Sequence, residues 1–193
     1  MPSMSKSNNK ATNAAEAKAL FDKVYGLVFG SEGSQLSYKV NIIGMYKTEG
    51  HIIYKGKKNC FKDERLESWN DGRNIYRANI KKKEVDVYRA DDDNSDKYMS
   101  KFKFNANDFT YSYKQSGDKY EITAKVKKSK LMGIKHVTIV VLKKNLYPVS
   151  LKIKLAFIST TVSISNFKPG NIKDDVFVFP KSKFSSYTFN RHE

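Results

Sequence analysis

The chain has 193 residues, 39% of them hydrophobic and 13% aromatic, with 12 Tyr and 12 Phe. That length supports a full core or an enclosed cavity in one domain, and the aromatic content favours sheet over helix. The formal charge of +16 draws the chain to anionic surfaces of any kind, while a single cysteine, Cys60, excludes an internal disulfide.

Residues 1–12 are rich in Ser, Asn and Lys and are expected to form a disordered tail, with 13–193 as a single domain. The N-terminal stretch has no apolar core of the kind a signal peptide needs. No apolar run approaches the roughly 18 residues that span a bilayer. Either the protein is cytosolic or a signal has been removed. Asn13 with Glu16 reads as an N-cap and its capping-box partner. The helix that follows places Ala17, Leu20, Phe21, Val24, Leu27 and Val28 on one face, and Gly30 and Gly33 end it. Such a helix is expected to cover the open side of a sheet.

From Leu36 the period changes to two: Leu36, Tyr38, Val40 and Ile42 alternate with polar residues. Ile52, Ile53 and Tyr54 precede a bend at Gly56, and Cys60-Phe61-Lys62 lies in the next strand. Asp71-Gly72, between Trp69 and Ile75-Tyr76, is a strong hairpin signal because both turn residues tolerate positive φ. Glu84–Tyr88 makes a further strand. The run from Asp91 to Asp96 looks like half a calcium loop but lacks the required Gly and terminal Glu, so it reads as a solvated acidic loop. Alternation resumes at Phe102 and Phe104, at Tyr111 and Tyr113, and from Ile122 to Val126. Three more strands are expected over 137–142, 151–157 and 161–167. Their connections are short, which makes neighbours antiparallel. Roughly ten strands in serial hairpins, with one or two helices, predict an α+β fold built on a strongly curved meander or partial barrel.

Signs of catalysis are missing. His51, His136 and His192 show no metal-ligand spacing with each other or with Cys60. No phosphate-binding glycine loop, nucleophile elbow or His-Glu-x-x-His helix occurs. His136 beside Lys135 reads as a surface position, Cys60 beside Phe61 as a small buried hydrophobe, and Asp63, Glu64 and Glu67 as a solvated strand end. No enzyme, metal or cofactor is expected.

Between Glu121 and Asp174 there is no acidic residue, yet eleven lysines. In Leu151-Lys152-Ile153-Lys154-Leu155 the period-two pattern sends lysines to one face and aliphatics to the other. Lys125 and Lys127 repeat it around Val126. Lysines of this kind solubilise a surface and protect edge strands, or else dock on anionic lipid, an anionic polymer or an acidic partner. Nucleic acid is disfavoured, because its binders interleave aromatics and Arg with the basic groups, whereas here the aromatics alternate away from the lysines.

The order of these motifs resembles the outer-membrane lipoprotein carrier family (LolA-like) from about Ala15 to Phe184. The likeness rests on the amphipathic helix, Gly50-His51-Ile52-Ile53-Tyr54-Lys55, Cys60-Phe61-Lys62, the Asp71-Gly72 hairpin, Leu146-Tyr147-Pro148-Val149, and a closing Phe-x-Phe-Pro segment, Phe177-Val178-Phe179-Pro180. The resemblance implies an unclosed β-barrel with helices as a lid over an apolar cavity. It implies a monomeric periplasmic carrier that shields lipoprotein acyl chains between an inner-membrane donor and an outer-membrane acceptor. Where the family carries an arginine that ties the lid shut, this chain has Lys55-Gly56-Lys57-Lys58, with Lys57 as a weak substitute. The segment between Tyr88 and Phe102 is short and polar for the family's central lid helices, which implies a more open groove. The expected cavity wall comprises Tyr38, Val40 and Ile42 of the first strand, and Ile53 and Phe61 of the next two. Trp69, Tyr76, Val85 and Val87 continue it around the hairpin. Phe104, Tyr111 and Tyr113 follow, and Ile139, Val141, Ile153 and Leu155 complete it.

Overall fold

The computed structural model describes residues 4–42, 46–91, 106–128 and 134–192; side chains are described within these ranges from Asn13 onward, except Ile42, Tyr46 and Ala106. The first three residues of the expected tail, the acidic loop beyond Asp91, the Phe102–Phe104 strand and the Ile42 side chain lie outside the described residues.

Helix α1 spans Met4–Phe29. Strands β1 (Ser34–Ile42), β2 (Tyr46–Lys55), β3 (Lys58–Asp63), β4 (Leu66–Asn70), β5 (Asn74–Asn79) and β6 (Glu84–Arg89) follow. Then come β7 (Phe109–Ser116), β8 (Lys119–Val126), β9 (Ile134–Leu142), β10 (Pro148–Leu155), β11 (Ser159–Pro169) and β12 (Thr188–Arg191). Single 3₁₀ turns lie at Ala106–Asp108, Asp174–Phe177 and Lys181–Phe184. All twelve strands belong to one sheet in the order β12-β6-β5-β4-β3-β2-β1-β11-β10-β9-β8-β7. The fold is α+β, and its sheet is unclosed because the end strands β12 and β7 are not neighbours. Contacts group the chain into two compact units: residues 1–26, 40–46 and 104–164, and residues 27–39, 47–103 and 165–193.

In the first unit the register sets out two apolar rows. Tyr113, Ile122, Ile139, Leu151 and Val162 stand opposite one another across β7–β11. Tyr111, Ala124, Val137, Ile153 and Thr160 form the next row. Partners in such a register share a face, and residues two apart do too. Helix α1 lies on that face: Ala17 packs with Tyr111 and Ala124, and Val24 with Ile122 and Val141. The Phe21 and Tyr111 rings sit 5.4 Å apart. Each fully buried Val or Ile here contributes about 1.5–3 kcal/mol.

The helix begins well before the expected cap, so Asn13 lies inside it. Its amide instead serves the sheet. Asn13 Nδ2 donates to Tyr113 O at 3.2 Å, and Asn13 Oδ1 accepts from Tyr113 N at 3.2 Å. Because β7 is the end strand among the described residues, these bonds satisfy backbone groups for which no described strand is a partner.

In the second unit, Ile53, Cys60, Trp69, Tyr76 and Val87 align across β2–β6 on one face. The C-terminal segment covers it: Phe179 and Phe184 cluster with Ala78, Val85 and Val87, and against Trp69, Tyr76 and Tyr187. The Tyr76 and Phe179 rings stack at 4.4 Å. Ile52, Phe61, Ser68, Arg77 and Asp86 align on the other face. Tyr54 lies on that second face as well, with Phe29 edge-on at 4.7 Å.

One turn differs from expectation. At the Asp71-Gly72 hairpin only Gly72 takes positive φ, at 92°. Asp71 Oδ1 instead accepts from the amides of Arg73 and Asn74, both at 2.8 Å, and this side-chain turn removes the need for a left-handed Asp. The closing Phe-x-Phe-Pro segment begins in the 3₁₀ turn at 174–177 and runs on irregularly. Phe177 and Phe179 are buried while Val178 is 65% exposed, so the two-residue alternation reflects burial without pairing. The pairing belongs to β12, which runs parallel to β6.

Candidate functional site

The expected cavity residues divide by unit and by face. Tyr111, Tyr113, Ile139 and Val141 lie beneath α1, and Ile153 stands in the same rows. Leu155, opposite Ile134, follows a register shift at the end of β10, and Val40 is half-buried in β1. Ile53, Trp69, Tyr76, Val85 and Val87 belong to the second unit and face the C-terminal segment, where Trp69 meets Phe179 and Phe184 at 5.3 and 5.5 Å. Phe61 is on the opposite face from Trp69, since it pairs with Ser68. Within the second unit, Phe61 therefore does not share the surface of Trp69 and Tyr76. Tyr38 lies close to Gly50, where an added Cβ would come within 2.7 Å of its hydroxyl; burial first, then Asp63, raises its pKa. Phe104 and the Ile42 side chain are outside the described residues.

What gathers in one place is the apolar face of β7–β11. Among its rows, Ile122 and Ala124 are fully buried, while Leu151, Ile153 and Val162 are half-buried. The Thr160 hydroxyl is buried there with no hydrogen-bond partner among the described residues. Tyr113 donates its hydroxyl to Glu16 at 2.7 Å, a bond that raises the phenol pKa. Burial and then Asp22 raise that of Tyr111. Both tyrosines stay neutral donors, and the face offers hydrocarbon with a few hydroxyls at its rim. Sequence reading missed Asn13 and Glu16 as ties between helix and sheet edge; the signal available was their common phase with Ala17 and Leu20 on one helix flank.

Lys125, Lys152 and Lys154 stand on the opposite face. Lys125, His136, Lys154 and Ser159 form one row there, and Thr123, Thr138, Lys152 and Thr161 the next. Lys127 follows the end of β8; its Nζ donates to Asn107 O at 3.0 Å. The arginine-replacing segment has its own tie: Lys55 Nζ donates to Ile172 O at 2.9 Å, and both Lys55 and Lys58 reach Asp174 at 3.4 Å. That pair of ammonium groups holds the Asp174 carboxyl below its usual range. Lys57 is exposed instead.

One arrangement has the outline of a nucleophile and base: His51 lies 3.3 Å from Ser37 Oγ and 3.2 Å from Gln35 Oε1. A neutral amide in the third position supplies no charge to hold an imidazolium, and the set reads as cross-strand polar bonding between β1 and β2. Among the described residues no group of three His, Cys, Asp or Glu side chains is arranged to hold a metal. No helix there is long and apolar enough to cross a membrane.

No protein-family model and no curated protein matches the chain. Solved structures do. An uncharacterized conserved protein from Thermus thermophilus covers 92% of this chain with 99% of its own length, at a TM-score of 0.62 and 9% identity. The chain shares that protein's fold. Similar structures include the LolA superfamily protein NE2245 from Nitrosomonas europaea, with a TM-score of 0.42, 9% identity and coverage of 84% of this chain and 97% of its own. Another is the Mycobacterium tuberculosis lipoprotein LppX, with a TM-score of 0.47, 11% identity and coverage of 82% and 99%. At 9% identity the likeness to the Thermus protein is one of fold alone.

Proposed function

We propose that the protein is a non-catalytic carrier that shelters the acyl chains of a lipoprotein or related lipid on the apolar face of β7–β11, with α1 as its displaceable cover. The reading places it in the periplasm, receiving cargo from an inner-membrane donor and releasing it to an outer-membrane acceptor. The observation that carries it is the pair of apolar rows running across five strands, in which Leu151, Ile153 and Val162 are only half-buried. Each methylene removed from water is worth about 0.8 kcal/mol, so an acyl chain of about 15 methylenes gains about 12 kcal/mol from full shelter. A helix held on this face by aliphatic contacts and the Phe21–Tyr111 ring pair is a cover that such a gain can displace. The motif order shared with lipoprotein carriers points the same way.

The test is displacement of an environment-sensitive apolar dye by a triacylated lipopeptide, with the same peptide lacking acyl chains as control. Displacement by the acylated form alone, weakened at least tenfold by Ile153→Asp, is the expected result. Equal behaviour of the two peptides, or full binding by the Ile153→Asp variant, refutes the assignment. Circular dichroism of that variant checks that the sheet is intact.

A further inference from the structure

The turn joining β10 and β11 is closed by a hydrogen bond between Leu155 N and Ile158 O at 2.8 Å. Its third residue, Phe157, is 97% exposed, far above any other large hydrophobic residue described, the next being Val178 at 65%. A phenyl ring held wholly in water at the tip of a tight turn gains nothing from the fold, and a surface that buries it recovers that loss. Its surroundings specify the surface. Lys154 pairs with Ser159 immediately before the turn, and Lys125 stands in the same row beyond His136. Lys152 stands one row further on. Lys127 and Lys128, exposed just after β8, lie at this same end of the strands, because Leu155 pairs with Ile134 at the start of β9. Among the described residues, Asp108 is the exposed acid at this end. Glu121, two rows away on the lysine face, is already engaged by Lys114 at 3.0 Å and Lys152 at 4.0 Å.

We infer that this end of the sheet docks on an anionic lipid bilayer, with Phe157 entering the interface and Lys125, Lys152 and Lys154 meeting the headgroups. Lysines suit headgroups because their flexible stems carry the charge to whatever height the phosphates occupy. A nucleic acid would instead call for several aromatics among the basic groups to stack bases. Here a single ring projects beyond them, and the segment from Glu121 to Asp174 has no arginine. An acidic protein would need no such projecting ring. The inference is independent of the acyl-carrier reading, since Phe157 lies in the turn, outside the rows proposed to hold cargo.

The test is co-sedimentation of the full chain with vesicles of phosphatidylglycerol and phosphatidylcholine, against vesicles of phosphatidylcholine alone. Binding to the anionic vesicles only, falling as salt rises, is expected. Phe157→Ser should weaken it about tenfold, Phe157→Trp should strengthen it, and each of Lys125→Ala, Lys152→Ala and Lys154→Ala should cost about fivefold. Equal binding to neutral vesicles, absence of binding, or wild-type affinity in Phe157→Ser overturns the inference; the last would leave a plain polyelectrolyte surface. Dye displacement by the lipopeptide should be unchanged in Phe157→Ser, so failure of docking and failure of the carrier reading are separately visible.

Discussion

Strands β7–β9 carry α1 on their apolar face, and Lys125, Lys152 and Lys154 stand on the opposite face of β8–β10, whereas β3–β6 carry an aromatic C-terminal segment on one face and a polar row on the other. The two covers are built from different materials. Helix α1 meets its strands through Ala17, Leu20, Phe21 and Val24, and is tied at the sheet edge by Asn13 and Glu16 to the single residue Tyr113. The C-terminal cover buries Phe177, Phe179 and Phe184 and stacks rings within 4.4–5.5 Å of Trp69 and Tyr76. It also sets Lys183 Nζ 3.0 Å from both carboxylate oxygens of the buried Glu67. Interlocked rings and a buried carboxylate make a cover that removal would penalise twice, by cavity and by charge. The helix also meets rings, Phe21 lying 5.4 Å from Tyr111. Among the described residues no buried carboxylate lies under it, so its removal costs mainly solvent-exposed hydrocarbon, which in the carrier reading a lipid would replace. In that reading, the helix is the cover suited to exchange.

The largest effect should come from Phe184→Ala. The ring is 1% exposed and touches Phe179, Trp69 and Tyr187, so unfolding in denaturant should show a loss of about 3–5 kcal/mol. A loss below about 1 kcal/mol would mean that the C-terminal cover is as loose as the helix. Lys183→Met should come next. It leaves the Glu67 carboxylate, 8% exposed, with only Lys62 at 3.4 Å. Since Lys183 is itself half-exposed, a discounted cost of about 1–2 kcal/mol is expected, and no change would show that solvent already satisfies that carboxylate.

Asn13→Ala should cost about 1 kcal/mol globally, because it removes two hydrogen bonds at a sheet edge. Its sharper signature is local: amide exchange at Tyr113 should accelerate while amides of β5 keep their protection. Unchanged exchange at Tyr113 would remove Asn13 as a tie. The smallest effect is one of reactivity alone. Burial pushes the Cys60 thiol up from 9.0 to about 11, so at pH 8 its thiolate fraction is lowered about 100-fold and alkylation slows accordingly. The rate should keep rising with pH well beyond 9. A plateau near pH 9 would mean that the face carrying Trp69 opens readily, which would erase the contrast between the two covers.

Much of the architecture was legible in the sequence because its periods are physical. The 3.6-residue repeat of Ala17, Leu20, Phe21, Val24 and Val28 marks the helix face that is buried. The alternation in Leu151–Leu155 separates lysines from aliphatics as the register does. The candidate site was less legible for a reason rooted in the same period. Alternation says that residues two apart share a face, but it does not say which face of one strand matches which of the next. Phe61 and Trp69 both read as inward, yet the pairing of Phe61 with Ser68 puts them on opposite sides.

Local chemistry in the sequence thus determined the elements, their antiparallel order through short turns, the concentration of lysine between Glu121 and Asp174 and the poverty of catalytic motifs. Tertiary structure alone decided that Asn13 serves a sheet edge instead of capping a helix, since a side-chain amide takes whichever unpaired backbone groups lie nearest. It decided that Phe177 and Phe179 are buried without pairing and that β12 joins β6 in parallel. It also decided that Phe157 is left in water at a turn among lysines. Each of these depends on a partner distant in sequence, or on its absence, and no local period records it.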